Sequence, residues 1–234
     1  MNCKFIFPMI LLGNLCFSQH TFELKDASQK YGIKINVEHC EGEECGGKAV
    51  IDLTDKKSEK KIQTLHSDDL NFYLNKDQMP TANIIQLYNE QSPLIFDDFN
   101  FDGTEDLAIR NGNESGYGGP SYDVYVFNRT RNKLVPSEEL TALAHENLGM
   151  FNTDPERKRL VTYSKSGCCW HLTTEYTVLP QRGLFKVYEL EEDATGDDKV
   201  KVTKKEFIND QWITNIKVYP ISEYYKENEN TKGD

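Results

Sequence analysis

Leu94-Ile95-Phe96-Asp97-Asp98-Phe99-Asn100-Phe101-Asp102-Gly103-Thr104-Glu105-Asp106-Leu107-Ala108-Ile109-Arg110 sets the architecture of this chain. Two apolar runs, 94–96 and 107–109, flank ten residues rich in aspartate and asparagine. Each run is too short for a helix and reads as a strand. The loop therefore joins two strands, where an EF-hand would join two helices. From Asp98 it spells D-x-N-x-D-G-x-x-D, with side-chain oxygens at positions 1, 3, 5 and 9. Gly103 at position 6 permits a sharp turn, because a residue without Cβ takes positive φ at little cost. Thr104 at position 7 offers its backbone carbonyl. A hard cation takes six to eight oxygen ligands, so Asp98, Asn100, Asp102, Thr104 and Asp106 form a candidate Ca²⁺ set. Asp and Asn also favour turns for backbone reasons alone, but five matching positions with a placed glycine favour the ion. Its expected role is structural: Asp98, Asp102 and Asp106 brought together without a cation would repel one another.

Strand signals continue on both sides. Residues 122–128, Tyr-Asp-Val-Tyr-Val-Phe-Asn, alternate apolar and polar most cleanly. Upstream, 33–37, 49–53, 61–66 and 83–88 read as strands; downstream, 159–164, 173–179, 183–190, 199–207 and 212–219 do. Residues 40–47 and 191–198 read as loops, and 138–150 as a short helix or a polar meander. Nine to twelve short strands with almost no amphipathic helix predict an all-β protein. Propeller-like packing of antiparallel strands is expected, with barrel or sandwich as alternatives. No internal domain boundary stands out, so residues 19–225 are expected to form a single calcium-binding domain, followed by a disordered polar tail, 226–234.

The amino terminus reads as a secretory signal, residues 1–18: Lys4, then an apolar run, then small residues Cys16 and Ser18 around a cleavage site before Gln19. Acylation at Cys16 is the alternative, disfavoured by the bulky Leu15 before it. No segment is long and apolar enough for a transmembrane helix. The protein is thus expected to be exported, periplasmic or secreted. Of six cysteines, Cys40, Cys45, Cys168 and Cys169 survive cleavage. An even number in an exported chain points to disulfides, in any of three pairings. With His39 and His171 they could also be read as zinc or copper ligands, but the spacings match no common knuckle. A net charge of −11 excludes nucleic acid as a partner and suits a basic protein.

Residues 96–107 followed by 122–128 resemble a family of exported bacterial proteins. There a D-x-N-x-D-G-x-x-D-L loop precedes a Gly-rich loop and a Y-x-V-Y strand. The family includes periplasmic lysozyme inhibitors of the invertebrate-type class and related immunity proteins against peptidoglycan hydrolases. The resemblance implies a propeller-like all-β fold. It also implies a Ser-Gly loop with a following tyrosine that enters the enzyme cleft. The nearest match is Ser115-Gly116-Tyr117-Gly118-Gly119-Pro120-Ser121-Tyr122; Ser166-Gly167 is a second candidate. Ser115, Gly116, Tyr117 and Tyr122 are then the expected binding residues, and the ion loop is expected to pose them beside it.

An enzyme is not expected, and no catalytic residue is assigned. No G-x-S-x-G occurs, and the Ser, His and Asp residues suggest no triad. The reading is an exported Ca²⁺-binding domain that inhibits, or gives immunity to, a basic lysozyme-like peptidoglycan hydrolase. A carbohydrate- or ligand-binding module is the alternative, and a metal-dependent hydrolase a more distant one.

Overall fold

A computed structural model describes residues 20–87, 90–180, 182–196 and 198–225. The expected signal, 1–18, and the tail, 226–234, lie outside the described residues. The described strands pair in three sheets, all antiparallel. In the first, β1 (His20–Leu24), β2 (Tyr31–Glu41), β3 (Glu44–Asp55) and β4 (Lys61–Ser67) follow in order, and β5 (Phe72–Tyr73) also pairs β3. The second holds β6 (Leu94–Asp97), β7 (Asp106–Arg110), β8 (Tyr122–Asn128) and β9 (Lys133–Pro136). Helix α1 (Glu138–Glu146) leads to the third, made of β10 (Asn152–Asp154), β11 (Arg159–Ser166), β12 (Trp170–Leu179), β13 (Gly183–Asp193), β14 (Lys199–Ile208) and β15 (Gln211–Pro220).

The second sheet is the middle layer, which explains why its first strands are apolar throughout instead of alternating. Successive side chains of a strand point to opposite faces. Leu94, Phe96, Leu107 and Ile109 join the core with Ile33, Ile35, Ile51 and Leu53 of the first sheet. Ile95, Ala108, Tyr122 and Val124 face the other way, into a core with Leu140 and Leu143 of α1 and Leu160 of β11. A strand covered on both faces needs apolar residues at every position. Each fully buried Leu or Ile contributes about 1.5–3 kcal/mol. Asp106 at the start of β7 is therefore unusual, being fully buried.

The all-β class holds. No sheet of the described residues closes on itself as a barrel would, and three sheets are fewer than the four to eight blades that typically close a propeller. The layers stack open instead. The strand expected at 83–88 is a turn over its described part: Asn83 is left-handed (φ 61°), and Ser92 N–H donates to the Ile84 carbonyl at 2.9 Å. The Asn83 side chain donates to the Ala27 carbonyl at 2.6 Å and accepts the Phe96 N–H at 2.7 Å, bonds that take the place of a ladder. Glu191, Glu192 and Asp193, expected in a loop, complete β13 opposite Thr203, Val202 and Lys201. The cysteines take one of the three pairings open to them. Cys40–Cys45 are cross-strand partners just before the β2–β3 turn, and Cys168–Cys169 form a vicinal bridge at the β11–β12 turn.

Candidate functional site

The acidic loop is closed by its own side chains. Asp98 accepts the N–H groups of Asp102 (2.9 Å) and Gly103 (2.7 Å). Asn100 accepts the same Asp102 N–H at 3.0 Å, so oxygens of positions 1 and 3 converge on one point. Asp102 accepts the Thr104 N–H at 2.8 Å. Phe101 and Gly103 turn the chain through positive φ (57° and 82°). Phe99 is the anchor: it is fully buried and packs edge-on to Phe151, centroids 5.4 Å apart. Outside the motif, Glu105 accepts the Ser28 hydroxyl and Asp97 the Thr153 hydroxyl, tying the loop to both neighbouring sheets.

Asp106 stands apart from the other carboxylates. Its oxygens accept the N–H groups of Phe99 (3.0 Å) and Phe127 (2.8 Å), pinning the loop to β8. Burial pushes its carboxyl up to about 7; the two N–H donors pull the other way, and the charges of Asp102 and Asp98 add to the rise. The nearest cation is Arg129, whose Nη2 lies 3.8 Å from the Asp102 carboxylate and donates to its carbonyl at 2.6 Å. Among the described residues no three His, Cys, Asp or Glu side chains gather closely enough to hold a metal by themselves. An ion here would rely on the amide oxygen of Asn100 and on backbone carbonyls as well. Every donor on offer is oxygen, which fits a hard cation and no soft one.

The Gly-rich loop after β7 is built differently. Gly116 N–H donates to the Asn147 carbonyl at 2.7 Å, and Gly149 N–H to the Ser115 hydroxyl at 3.1 Å. Ser121 Oγ donates to the Asn111 carbonyl (2.6 Å) and accepts the Glu114 N–H (3.1 Å). Space is tight at Gly116: an added Cβ would lie 3.1 Å from the Asn147 carbonyl and 3.2 Å from Leu148 Cδ2. Of the four residues expected to bind, only Tyr117 projects. It is 66% exposed, at the centre of a 3₁₀ turn (Gly116–Gly118), with a left-handed backbone (φ 61°). Ser115 is a buried strut. Tyr122 is a fully buried β8 residue whose hydroxyl donates to the Ser92 carbonyl at 2.9 Å, and burial pushes that hydroxyl's pKa up. The alternation of 122–128 had already placed Tyr122 in a strand, and its inward face is the one that packs.

The second Ser-Gly candidate meets the first. Gly167 N–H, at the β11–β12 turn, donates to the Tyr117 hydroxyl at 2.5 Å. The Lys165 ammonium sits 4.8 Å from the Tyr117 ring centroid. The Cys168–Cys169 bridge completes that turn. One composite surface thus carries an exposed aromatic, a lysine and a bridged hairpin tip. Behind it, His145 of α1 stands 3.8 Å from Glu114 and 3.9 Å from Asp123. The sequence showed each Ser-Gly pair, but it had no signal for their contact or for the parts of Lys165 and His145. The ion loop does not lie beside this surface. It precedes β7 and the Gly-rich loop follows it, so a five-residue strand, about 16 Å long, separates them.

No family model and no curated protein matches the chain. A solved structure described as that of a Xanthomonas type IV secretion system related protein is similar. It is 23% identical, with a TM-score of 0.63, over 82% of this chain and 92% of that one. At that identity the likeness is one of fold. The two disulfides fit an oxidising, exported setting. No helix of the described residues is long and apolar enough to cross a membrane.

Proposed function

We propose that this protein is an exported inhibitor of, or immunity protein against, a lysozyme-like peptidoglycan hydrolase, acting by loop insertion without chemistry of its own. The observation that carries the reading is Tyr117: a large aromatic, exposed, on a left-handed residue, and held by Gly167 and Lys165 of the β11–β12 hairpin. An apolar residue left in solvent on a rigid mount suits a binding anchor, because little entropy remains to be lost on docking. The net charge of −11 favours encounter with a basic enzyme. Asp98, Asn100, Asp102, Thr104 and Asp106 would hold a structural Ca²⁺, whose charge would offset the carboxylates at the far end of β7. The family resemblance of residues 96–128 supports the same function.

The test is a panel of lysozyme and lytic-transglycosylase assays with Ca²⁺ present. Potent inhibition of at least one enzyme is expected, weakened about 30-fold or more by Tyr117→Ala, as for an interface hot spot. The variant should stay folded and lose no more than about 1.5 kcal/mol, the contribution of the Gly167 hydrogen bond to the Tyr117 hydroxyl. A panel left unchanged would sink the proposal. Binding to free glycans on an array, without any inhibition, would move the reading to a carbohydrate-binding module.

A further inference from the structure

Of the eight large apolar side chains exposed among the described residues, five lie on the β14–β15 hairpin: Ile208 ends β14, and Trp212, Ile213, Ile216 and Val218 lie on β15. They are 42–57% exposed, although β15 pairs with β14 without a register shift over ten residues, Lys199↔Pro220 to Ile208↔Gln211. The cause lies in the layering. The middle sheet has four strands and the third has six; β14 still buries Val200 and Thr203, and β15 beyond it overhangs the core. Side chains of β15 are exposed on both faces, and its outer edge has no partner strand among the described residues. Natural edge strands are usually guarded by charge, proline or a bulge. Here Lys217 is the sole charged residue, and the one proline, Pro220, comes last.

We infer that β15 pairs antiparallel with β15 of a second copy of this chain, joining two third sheets across a two-fold axis. The strand is complementary to itself. Centred on Asn215, the pairing sets Trp212 opposite Val218, Thr214 opposite Ile216 and Ile213 opposite Lys217, with Asn215 meeting its own copy. No like charges face each other, and Pro220, which lacks an N–H, falls outside the paired run. The same segment is where two such acidic chains can approach. Residues 199–220 carry five lysines against Glu206 and Asp210, while the whole chain carries −11. Glu189 holds Lys205 at 3.0 Å and Glu206 holds Lys204 at 3.0 Å, so the strip is locally balanced. Residues 226–234, Lys-Glu-Asn-Glu-Asn-Thr-Lys-Gly-Asp, carry no apolar side chain to set against Ile213 and Ile216.

The experiment is sedimentation velocity of the mature protein over about 1–100 µM. A concentration-dependent dimer is expected. Asn215→Lys and Asn215→Glu, both at an exposed position, should each weaken it about fivefold or more by placing like charges across the axis. An equimolar mixture of the two should restore dimer, as Lys–Glu heterodimer. Unchanged melting temperatures confirm that both variants fold. A monomer throughout overturns the inference, even if it takes up an extended peptide along β15. So does a dimer indifferent to both substitutions, or a mixture that stays monomeric. None of these outcomes bears on hydrolase inhibition, which rests on Tyr117 and not on β15.

Discussion

The loops at the two ends of β7 solve the same problem by opposite means. Each must satisfy the polar backbone of a tight, irregular turn. In the acidic loop, Asp98, Asn100 and Asp102 accept N–H groups no more than five residues away. The Gly-rich loop has local bonds too, such as Gly118 N–H to the Ser115 carbonyl, but it adds partners from far along the chain: Gly149 to Ser115, 34 residues apart, and Gly167 to Tyr117, 50 apart. The turn of the first loop is closed mainly from within. That of the second also leans on the segment after α1 and on the β11–β12 hairpin. A self-contained loop makes a good fastener, and a borrowed one makes a surface whose shape depends on the whole molecule.

The largest effect should come from removing the buried acidic-loop carboxylate that bonds to β8. Asp106→Ala leaves the buried Phe99 and Phe127 N–H groups without acceptors. Hydrogen bonds to a charged group contribute about 1.5–3 kcal/mol each, so a loss of about 3 kcal/mol is expected by urea denaturation above the carboxyl's pKa of about 7, where Asp106 is ionised. The loss should persist in chelator. If it vanishes there, Asp106 acts through an ion and not as a strut between the loop and β8.

The next effect is that of the proposed Ca²⁺. At a free Ca²⁺ concentration about 100 times Kd, binding to the folded state alone adds about 2.7 kcal/mol, and chelator should remove it. The amide exchange of Gly167, a reporter on the Tyr117 contact, should change little, because the two loops lie about 16 Å apart. Stability unaffected by Ca²⁺ would leave the acidic loop as a plain Asp/Asn turn. Coupled loss of Gly167 protection would show that β7 transmits the state of one loop to the other.

The same contrast explains what could be read from the sequence. Local rules found the acidic loop, the strands around it and the short helix, because their causes lie within a few residues. They failed at Asn83, where a side chain reaching Ala27 and Phe96 replaced a ladder bond. They failed again at Glu191–Asp193, where an acidic run became strand because β14 placed Lys201 opposite it. In the Gly-rich loop they named four binding residues and the structure left one, Tyr117, in solvent. Ser115 and Tyr122 match the motif as letters, but burial depends on Gly149, Ser92 and other residues that no local window includes. The three-sheet layering was equally hidden. Continuous apolar residues in β6 and β7 did signal strands covered on both faces, yet not which sheets cover them.

The smallest expected effect on stability is the most telling about the borrowed loop. Gly116→Ala asks for no forbidden backbone angle; its cost is contact with the Asn147 carbonyl and Leu148 Cδ2. Those neighbours are fixed: Leu148 N–H donates to the Tyr163 carbonyl at 2.8 Å, and the Asn147 side chain to the Leu143 carbonyl at 2.8 Å. The loop itself must move. A shift of a few tenths of an ångström in a packed region costs about 1 kcal/mol, at the low end of overpacking. It also carries Tyr117 off the Gly167 N–H, so the Gly167 amide should exchange faster while amides of β2 and β3 stay protected. Faster exchange at Gly167 with a nearly unchanged melting curve is the result expected of a loop held by distant partners. Equal loosening everywhere would mean that the Gly-rich loop is as integral to the core as the strand it follows.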